Sequence, residues 1–574
     1  MQKLTVALIG CVAVFGVCAA DVYFLDPEGV GDIADASAWS ATPTTSDTAW
    51  ITNRNGALTA KRDATFGKVK VQNTFTSAAG AKTVVFDLTE PTSGGAPRMV
   101  NVIGFNVGQV NETVELKGGI WNWAGAGADA QGKALNMING NGYQSGNNHI
   151  ILSAGAVVTN LTSVYAWIIG DRYSDITLKE KSRMHLSNNA WFLDGRDCAL
   201  RITDGSRGLM GTMMLGRSSA YSLNTVASNR IEVTGAGSFL RTLSYASTGV
   251  CIGPNATLEG PCANSLIVKD HAGFHVNGSD GAGPMCVGCR NKLNTFWVDD
   301  YAVSTSGTIS VGLQAGGCSN TVFVGAHATM NVSVAGHSID VGCAEGAIGN
   351  ALIVSNGTLN AYSIHLGSSD ISKGASSYNL FRVIGSEAVV SKPNGNLFQY
   401  GHHNTFEIDG ATIDWGSSSS IMLGGTFPST NNTVRLLNGA GLKIDYMYVG
   451  NANGVDNTLW LEGPSHVALS WNLVIFPKNT LHLTVPKSGY ALVPIHAAGT
   501  VSLEGSSVLD LEVEDGYDSD QWQTLVTAGE AVSIPDSVLA TAKTKLGKEF
   551  ILRKSADGKS LLMKKKTGLM LLLR

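Results

Sequence analysis

The chain repeats one short phrase of polar and apolar positions: Asn, any residue, apolar, any residue, apolar. Clear copies are Asn229-Arg-Ile231-Glu-Val233, Asn264-Ser-Leu266-Ile-Val268, Asn294-Thr-Phe296-Trp-Val298, Asn320-Thr-Val322-Phe-Val324 and Asn350-Ala-Leu352-Ile-Val354. The phrase continues from Asn379, Asn404, Asn432, Asn457 and Asn479, with weaker versions at Asn148, Ser174 and Cys198. Each copy alternates with period two, which is a strand pattern, and its Asn and both apolar residues share one face. Thirteen copies between 148 and 479 give a period of about 28 residues, that of a solenoid.

A second signal follows in each repeat, an apolar or polar residue and an apolar one closed by Gly: Cys251-Ile252-Gly253, Cys286-Val287-Gly288, Ser310-Val311-Gly312, Asp340-Val341-Gly342, His365-Leu366-Gly367 and Tyr448-Val449-Gly450. Turn residues such as Gly235-Ala-Gly237, Asn356-Gly357 and Asn438-Gly439 lie between the two signals. One repeat is thus a strand, a bend, more extended chain, a glycine corner and the next strand. A lone repeat cannot bury its apolar face, whereas stacked copies bury a continuous core. The pattern predicts an all-β protein built as a single right-handed parallel β-helix, with like residues superposed about 4.8 Å apart. In that stack Asn229, Asn264, Asn294, Asn320, Asn350, Asn379, Asn404, Asn432 and Asn457 face inward at a corner and bond amide to amide, satisfying polar groups that burial would strand.

Along the chain, residues 1–20 read as a secretory signal: Lys3, the apolar run Leu4 to Val17, then Cys18-Ala19-Ala20 before Asp21. Leu8-Ile9-Gly10-Cys11 fits a lipobox, but the apolar run continues past it. Residues 21–60 read as an N-terminal cap and 61–510 as the β-helix, regular from about 148. Within the early part, Val69-Lys-Val71, Thr83 to Phe86 and Thr113 to Leu116 are expected strands, and Gly118 to Asn148, holding Trp121 and Trp123, a lateral loop. Residues 511–574 form a C-terminal capping or sorting module: a strand near Trp522, a short helix over Pro535 to Leu546, a hairpin turning at Ser555 to Lys559, and a last strand Leu569 to Leu573.

The cap segment carries Trp39, Pro43, Asp47, Ala49 and Ile51, in the order Trp, Pro, Asp-x-Ala-x-Ile. That order, followed by Asn-led β repeats over roughly 50–510, resembles the passenger segments of bacterial autotransporter-like and pectin-lyase-like secreted β-helix proteins. The resemblance implies the β-helix fold and an exported location: bacterial cell surface, outer-membrane associated or extracellular. Proteins on that scaffold include adhesins, surface-layer proteins, tailspikes and polysaccharide-cleaving enzymes, so the fold does not select a function. The 64 residues after 510 are too few for the many strands of a membrane barrel.

Composition narrows the field. Charge is 15% and net charge −5, which disfavours nucleic acid as a partner. No stretch after the signal reads as a membrane-spanning helix. From Lys543 onward ten Lys and Arg face Glu549 and Asp557, a net +8. Lys564-Lys565-Lys566 is placed where an edge strand carries charge to block pairing, so a solvated edge is preferred to a docking patch.

Catalytic candidates are sparse. Asp299 and Asp300, with His402 and His403, invite comparison with polysaccharide hydrolases, but the pairs lie four coils apart, about 19 Å. Acid–base groups must reach one substrate. Lys269 and Gly325 are the expected stack neighbours of Asp299, which reads as ordinary solvated charge. Seven cysteines follow the signal, at 198, 251, 262, 286, 289, 318 and 343. The odd count leaves a thiol unpaired. Cys251 and Cys286 are placed to stack. Cys286-x-x-Cys289 lacks a second pair, so no zinc is expected. No calcium nonapeptide, phosphate loop or nucleotide fingerprint appears, and no cofactor is expected.

The outward positions say more. The residue three after each marker is Ile151, Thr177, Arg201, Glu232, Ile267, Trp297, Phe323, Ile353, Arg382, Glu407, Arg435, Trp460 and His482. Ile267, Trp297, Phe323 and Ile353 form an outward apolar stripe of about 14 Å. Either a loop such as 270–293 folds over it, which is the simpler reading, or it is an open platform for glycans or a surface partner. Arg382, Glu407 and Arg435 alternate in sign and fix coil register without a ligand. The expected function is an exported, non-catalytic scaffold or adhesin, with a polysaccharide lyase or glycoside hydrolase as the alternative. A tailspike-like trimer is disfavoured by the signal segment.

Overall fold

A computed structural model describes residues 21–566 apart from short stretches, the longest being 73–81, 124–134, 139–145, 217–227, 254–261 and 368–375. The protein is an all-β parallel solenoid. Among the described residues the Asn-led strands belong to one unbroken ladder of eighteen parallel strands, from Gly31–Asp32 to Val508–Val513. Two more strands in most coils build the second and third faces. In the coil that starts at Asn294 the faces are Thr295–Val298, Val303–Thr305 and Ile309–Val311.

Alternation produces this shape directly. Strands such as Thr321–Val324 and Ser338–Val341 bury every second residue. The inward row Ile231, Leu266, Phe296, Val322, Leu352, Phe381 and Phe406 is wholly buried. Each such side chain contributes roughly 1.5–3 kcal/mol by leaving water. Aromatic residues stack within the core, Phe381 on Phe406 at 4.8 Å and Phe406 on Trp415 at 5.9 Å.

The stack starts well before the regular repeats. Asp21–Tyr23, Thr48–Thr52, Ala64–Gln72 and Met99–Gly108 pair in parallel, so the first two of these strands, within 21–60, already join the ladders. Met99–Gly108 pairs through its first half with Ile120–Trp123 and through Val107 with Leu135–Ile138. The second and third faces thus separate out of one long strand. The reading of 118–148 as a lateral loop therefore fails: the stretch supplies two strands, and Trp121 lies in the core at 1% exposure. Its Gly and Asn content had masked two short pairings. The signal segment 1–20, Trp123's side chain and the strand at 569–573 lie outside the described residues.

The corner before each first-face strand has two devices. The inward Asn are buried, and from Asn229 to Asn479 each Oδ1 accepts the backbone N–H of the preceding ladder residue at 2.9–3.2 Å. Most also receive the preceding amide, as Asn320 Oδ1 does from Asn294 Nδ2 at 2.9 Å. Asn404 departs, turning its Nδ2 to the Tyr400 carbonyl. Asn148 N–H donates to Ser174 Oγ and Cys198 N–H to Asn229 Oδ1, so the weak repeats join the same ladder.

The second device is backbone handedness. At all thirteen ladder positions the preceding residue has positive φ, as at Ala263 (43°), Leu293 (66°), Tyr378 (59°) and His403 (55°). That conformation costs a residue with a side chain roughly 1–2 kcal/mol. It aims the next N–H along the stack at the neighbouring Asn, where burial without a partner would cost a comparable amount.

After Val508–Val513 a helix, Asp536–Leu546, lies against that last first-face strand and buries Val538, Leu539, Ala542 and Leu546. The hairpin Phe550–Lys554/Ser560–Lys565 pairs antiparallel onto Gln523–Ala528. The lysine-bearing strand is the interior one and Phe550–Lys554 is the edge, contrary to the edge placement expected for Lys564 to Lys566. Lys565 instead donates to Tyr517 O and Asp518 at 3.2 Å each, and Arg553 and Lys564 sit over the Trp522 ring. Among the described residues no helix is long and apolar enough to cross a membrane.

Candidate functional site

The first-face ladder sets the outward row. Its register pairs Ile267 with Trp297, Trp297 with Phe323, and Phe323 with Ile353. The four expected residues are thus brought together on adjacent coils. Trp297 and Phe323 touch with centroids 4.1 Å apart. Trp297 is 38% exposed and the other three are half-buried. The described residues of 270–293 do not fold over it: Gly273–Asn277 and Met285–Val287 are the next two faces of the same coil, and 278–282 lie outside the described residues.

A second row runs beside the first, and the sequence reading missed it. At the turn between the first and second faces, His271 stacks on Tyr301 and Tyr301 on His327, at 4.8 and 4.6 Å and nearly parallel. Leu293, Trp297, Tyr301 and Val303, all on one coil, are among the large apolar side chains left most open to solvent. The signal was present: His271, Tyr301 and His327 occupy the same turn offset in three successive repeats. Counting only strand positions hid them. A further outward row, His365, Phe398, Met422 and Tyr448, aligns on the third face, with Tyr446 parallel to Trp471.

The carboxylates belong to that turn. Asp300 and Tyr301 have φ of 51° and 60°. Asp299 accepts from Trp297 Nε1 at 3.1 Å and from the Asp300 N–H at 2.9 Å, so it caps the turn and holds the indole. It lies over Gly325, as the repeat spacing predicts. Asp300 shares a hydrogen bond with Asp270 of the adjacent coil, which raises its carboxyl, with smaller contributions from burial and repulsion. His402 and His403 sit at the opposite corner of the face: His402 Nδ1 meets Thr430 Oγ1 at 2.8 Å, and His403 stacks on Tyr378. The structure does not bring them to the Asp pair.

Charged rows flank the stripe on the same ladder. Glu407 pairs with Arg382 at 2.7 Å and with Arg435 at 3.8 Å. On the other side, burial alone raises the Asp175 carboxyl, but His149 at 3.1 Å and Arg201 at 2.6 Å outweigh it and hold the group below the ordinary value of 3.8. A carboxyl lowered in the folded state stabilises above its unfolded pKa, and that contribution is lost as pH falls through the folded value. Asp175→Asn is therefore expected to lower the urea midpoint at pH 7, with the difference shrinking as pH falls below the ordinary carboxylate range. A constant difference down to pH 2 would show that the ion pair is not its source.

The cysteines also converge. Cys251 pairs in register with Cys286 on the third face, as expected, and Cys289 joins them. Cys286 and Cys289 are disulfide-bonded, and Cys251 Sγ lies 2.8 Å from Cys289 Sγ. Burial pushes the Cys251 thiol up to about 12. The sequence places Cys251 on Cys286 and shows the Cys286-x-x-Cys289 pair, but does not by itself bring Cys289 to Cys251.

Compared with models of known protein families, the sequence matches none, and no curated protein sequence matches it either.

Proposed function

We propose that this parallel β-solenoid is an exported, non-catalytic scaffold of the bacterial surface or exterior, right-handed, with its two end segments acting as caps, and that it binds glycans on one face. The observation that carries the reading is the in-register row Ile267, Trp297, Phe323 and Ile353, flanked by stacked His271, Tyr301 and His327. Apolar rings with polar edges suit the apolar face and hydroxyl rim of a sugar. An open apolar patch marks a contact surface. The leader-like residues 1–20 and the autotransporter-like repeats support export.

The test is retention on immobilised glycans. Trp297→Ala/Phe323→Ala is expected to weaken binding roughly 30-fold, about 2 kcal/mol. Because both side chains project outward, the urea midpoint should change little. Equal binding by the double variant would remove the stripe from the function.

A polysaccharide lyase or glycoside hydrolase draws on one observation. Asp270 on the adjacent coil holds the Asp300 carboxyl above its ordinary value, next to Asp299. New reducing ends or unsaturated products, lost in Asp300→Ala, would favour that reading.

A further inference from the structure

Cys251 meets the Cys286-x-x-Cys289 pair of the adjacent coil outside the main core. Cys251 and Cys286 take paired outward positions on the third face, and Cys289 follows the corner at Gly288. Farther along that row Ser310, Asp340 and His365 are half-buried, yet the three cysteines are 5%, 3% and 2% exposed. They form their own apolar cluster, against which Met214 and Leu313 pack. Met214 is the register partner of Cys251, so sulfur side chains occupy three successive coils. All three Sγ atoms lie within 4.8 Å of one another.

We propose that Cys251, Cys286 and Cys289, when reduced, bind one Cu(I) ion. Thiolates, with a thioether nearby, are soft ligands that select Cu(I). Structural zinc takes four ligands. Among the described residues no fourth His, Cys, Asp or Glu joins the trio. The Cys286–Cys289 disulfide and the metal exclude each other, so binding depends on redox state. An added phosphine supplies the two electrons that break the S–S bond and becomes a phosphine oxide, taking its oxygen from water, whose two protons complete the two thiols. Cu(I) then displaces a proton from each thiol it ligates, and these pass to buffer.

The test titrates the full chain, reduced with phosphine and handled without oxygen, against Cu(I) held by bicinchoninate. The reduced protein is expected to withdraw one equivalent per chain, with a rise in near-ultraviolet thiolate-to-copper absorption. Cys251→Ser and Cys289→Ser should each weaken retention about tenfold or more. Cys318→Ser/Cys343→Ser should leave it unchanged, and the oxidised protein should take up none. Uptake by wild type no greater than by Cys251→Ser/Cys289→Ser, or uptake that follows Cys318 and Cys343, would overturn the proposal. X-ray absorption at the copper edge needs no variant: three sulfur neighbours are expected, and nitrogen or oxygen neighbours would contradict it.

Discussion

Asn320→Ala is expected to destabilise the protein by roughly 3–5 kcal/mol, because it strands several buried donors and acceptors at once. Asn320 Oδ1 accepts the Asn294 N–H at 3.0 Å and the Asn294 amide at 2.9 Å, while its own Nδ2 donates to Asn350 Oδ1 at 3.0 Å. All three residues are fully buried, so water does not replace the lost partners. The ladder contains its own control in Ser174, whose hydroxyl accepts the Asn148 N–H at 3.0 Å. Asn320→Ser should therefore lose about half as much, keeping the backbone bond and losing the amide rung. Coils of a solenoid couple mainly to their neighbours. Hydrogen-exchange protection should accordingly fall most around Asn294, Asn320 and Asn350 and least beyond Asn432. A uniform loss along the chain, or equal effects of Ser and Ala, would show that the rung is not the source.

Gly450→Ala is expected to cost roughly 3–5 kcal/mol, from left-handed backbone strain and overpacking together. Gly450 has φ of 79°, and a Cβ there would overlap the Asn479 amide. Gly288, Gly312 and Gly342 stand in the same relation to Asn320, Asn350 and Asn379. The corner Gly and the second ladder Asn after it are thus one device: the glycine makes the turn and leaves room for the amide. Gly336→Ala separates the two effects, since Gly336 has φ of 85° with open space around its Cβ position. It should cost only about 1 kcal/mol. Urea midpoints of the two variants give the comparison, and equal losses would mean that strain alone accounts for the glycine.

The ladder residues and the outward row were legible because both follow a fixed offset from one marker. Period two settles which side of a strand faces in, and a stack forces equal offsets into line, so Ile267, Trp297, Phe323 and Ile353 follow from counting. The corner geometry was not legible. Ala263, Leu293, Ser319, Tyr378 and His403 share φ but no residue type, since tertiary hydrogen bonding imposes the left-handed turn on whatever side chain is there. The early coils were hidden for a related reason. Ala64–Gln72 and Met99–Gly108 run through two faces in one strand, so they lack the corner that marks later repeats. The carboxylate pairing of Asp270 with Asp300 was missed because turn positions were not aligned as strand positions were. The cysteine trio needed the register of a third face, together with a corner residue outside it.

The most direct measurement is a single incubation of the chain from Asp21 onward with a polysaccharide panel, read for both retention and released product. Wild type, Trp297→Ala/Phe323→Ala and Asp300→Ala are run together. Retention by wild type without product, lost with the aromatic pair and kept in the absence of the Asp300 carboxylate, is the expected result. New chain ends that disappear with Asp300 would contradict a non-catalytic scaffold. Retention that survives the loss of Trp297 and Phe323 would contradict the binding face.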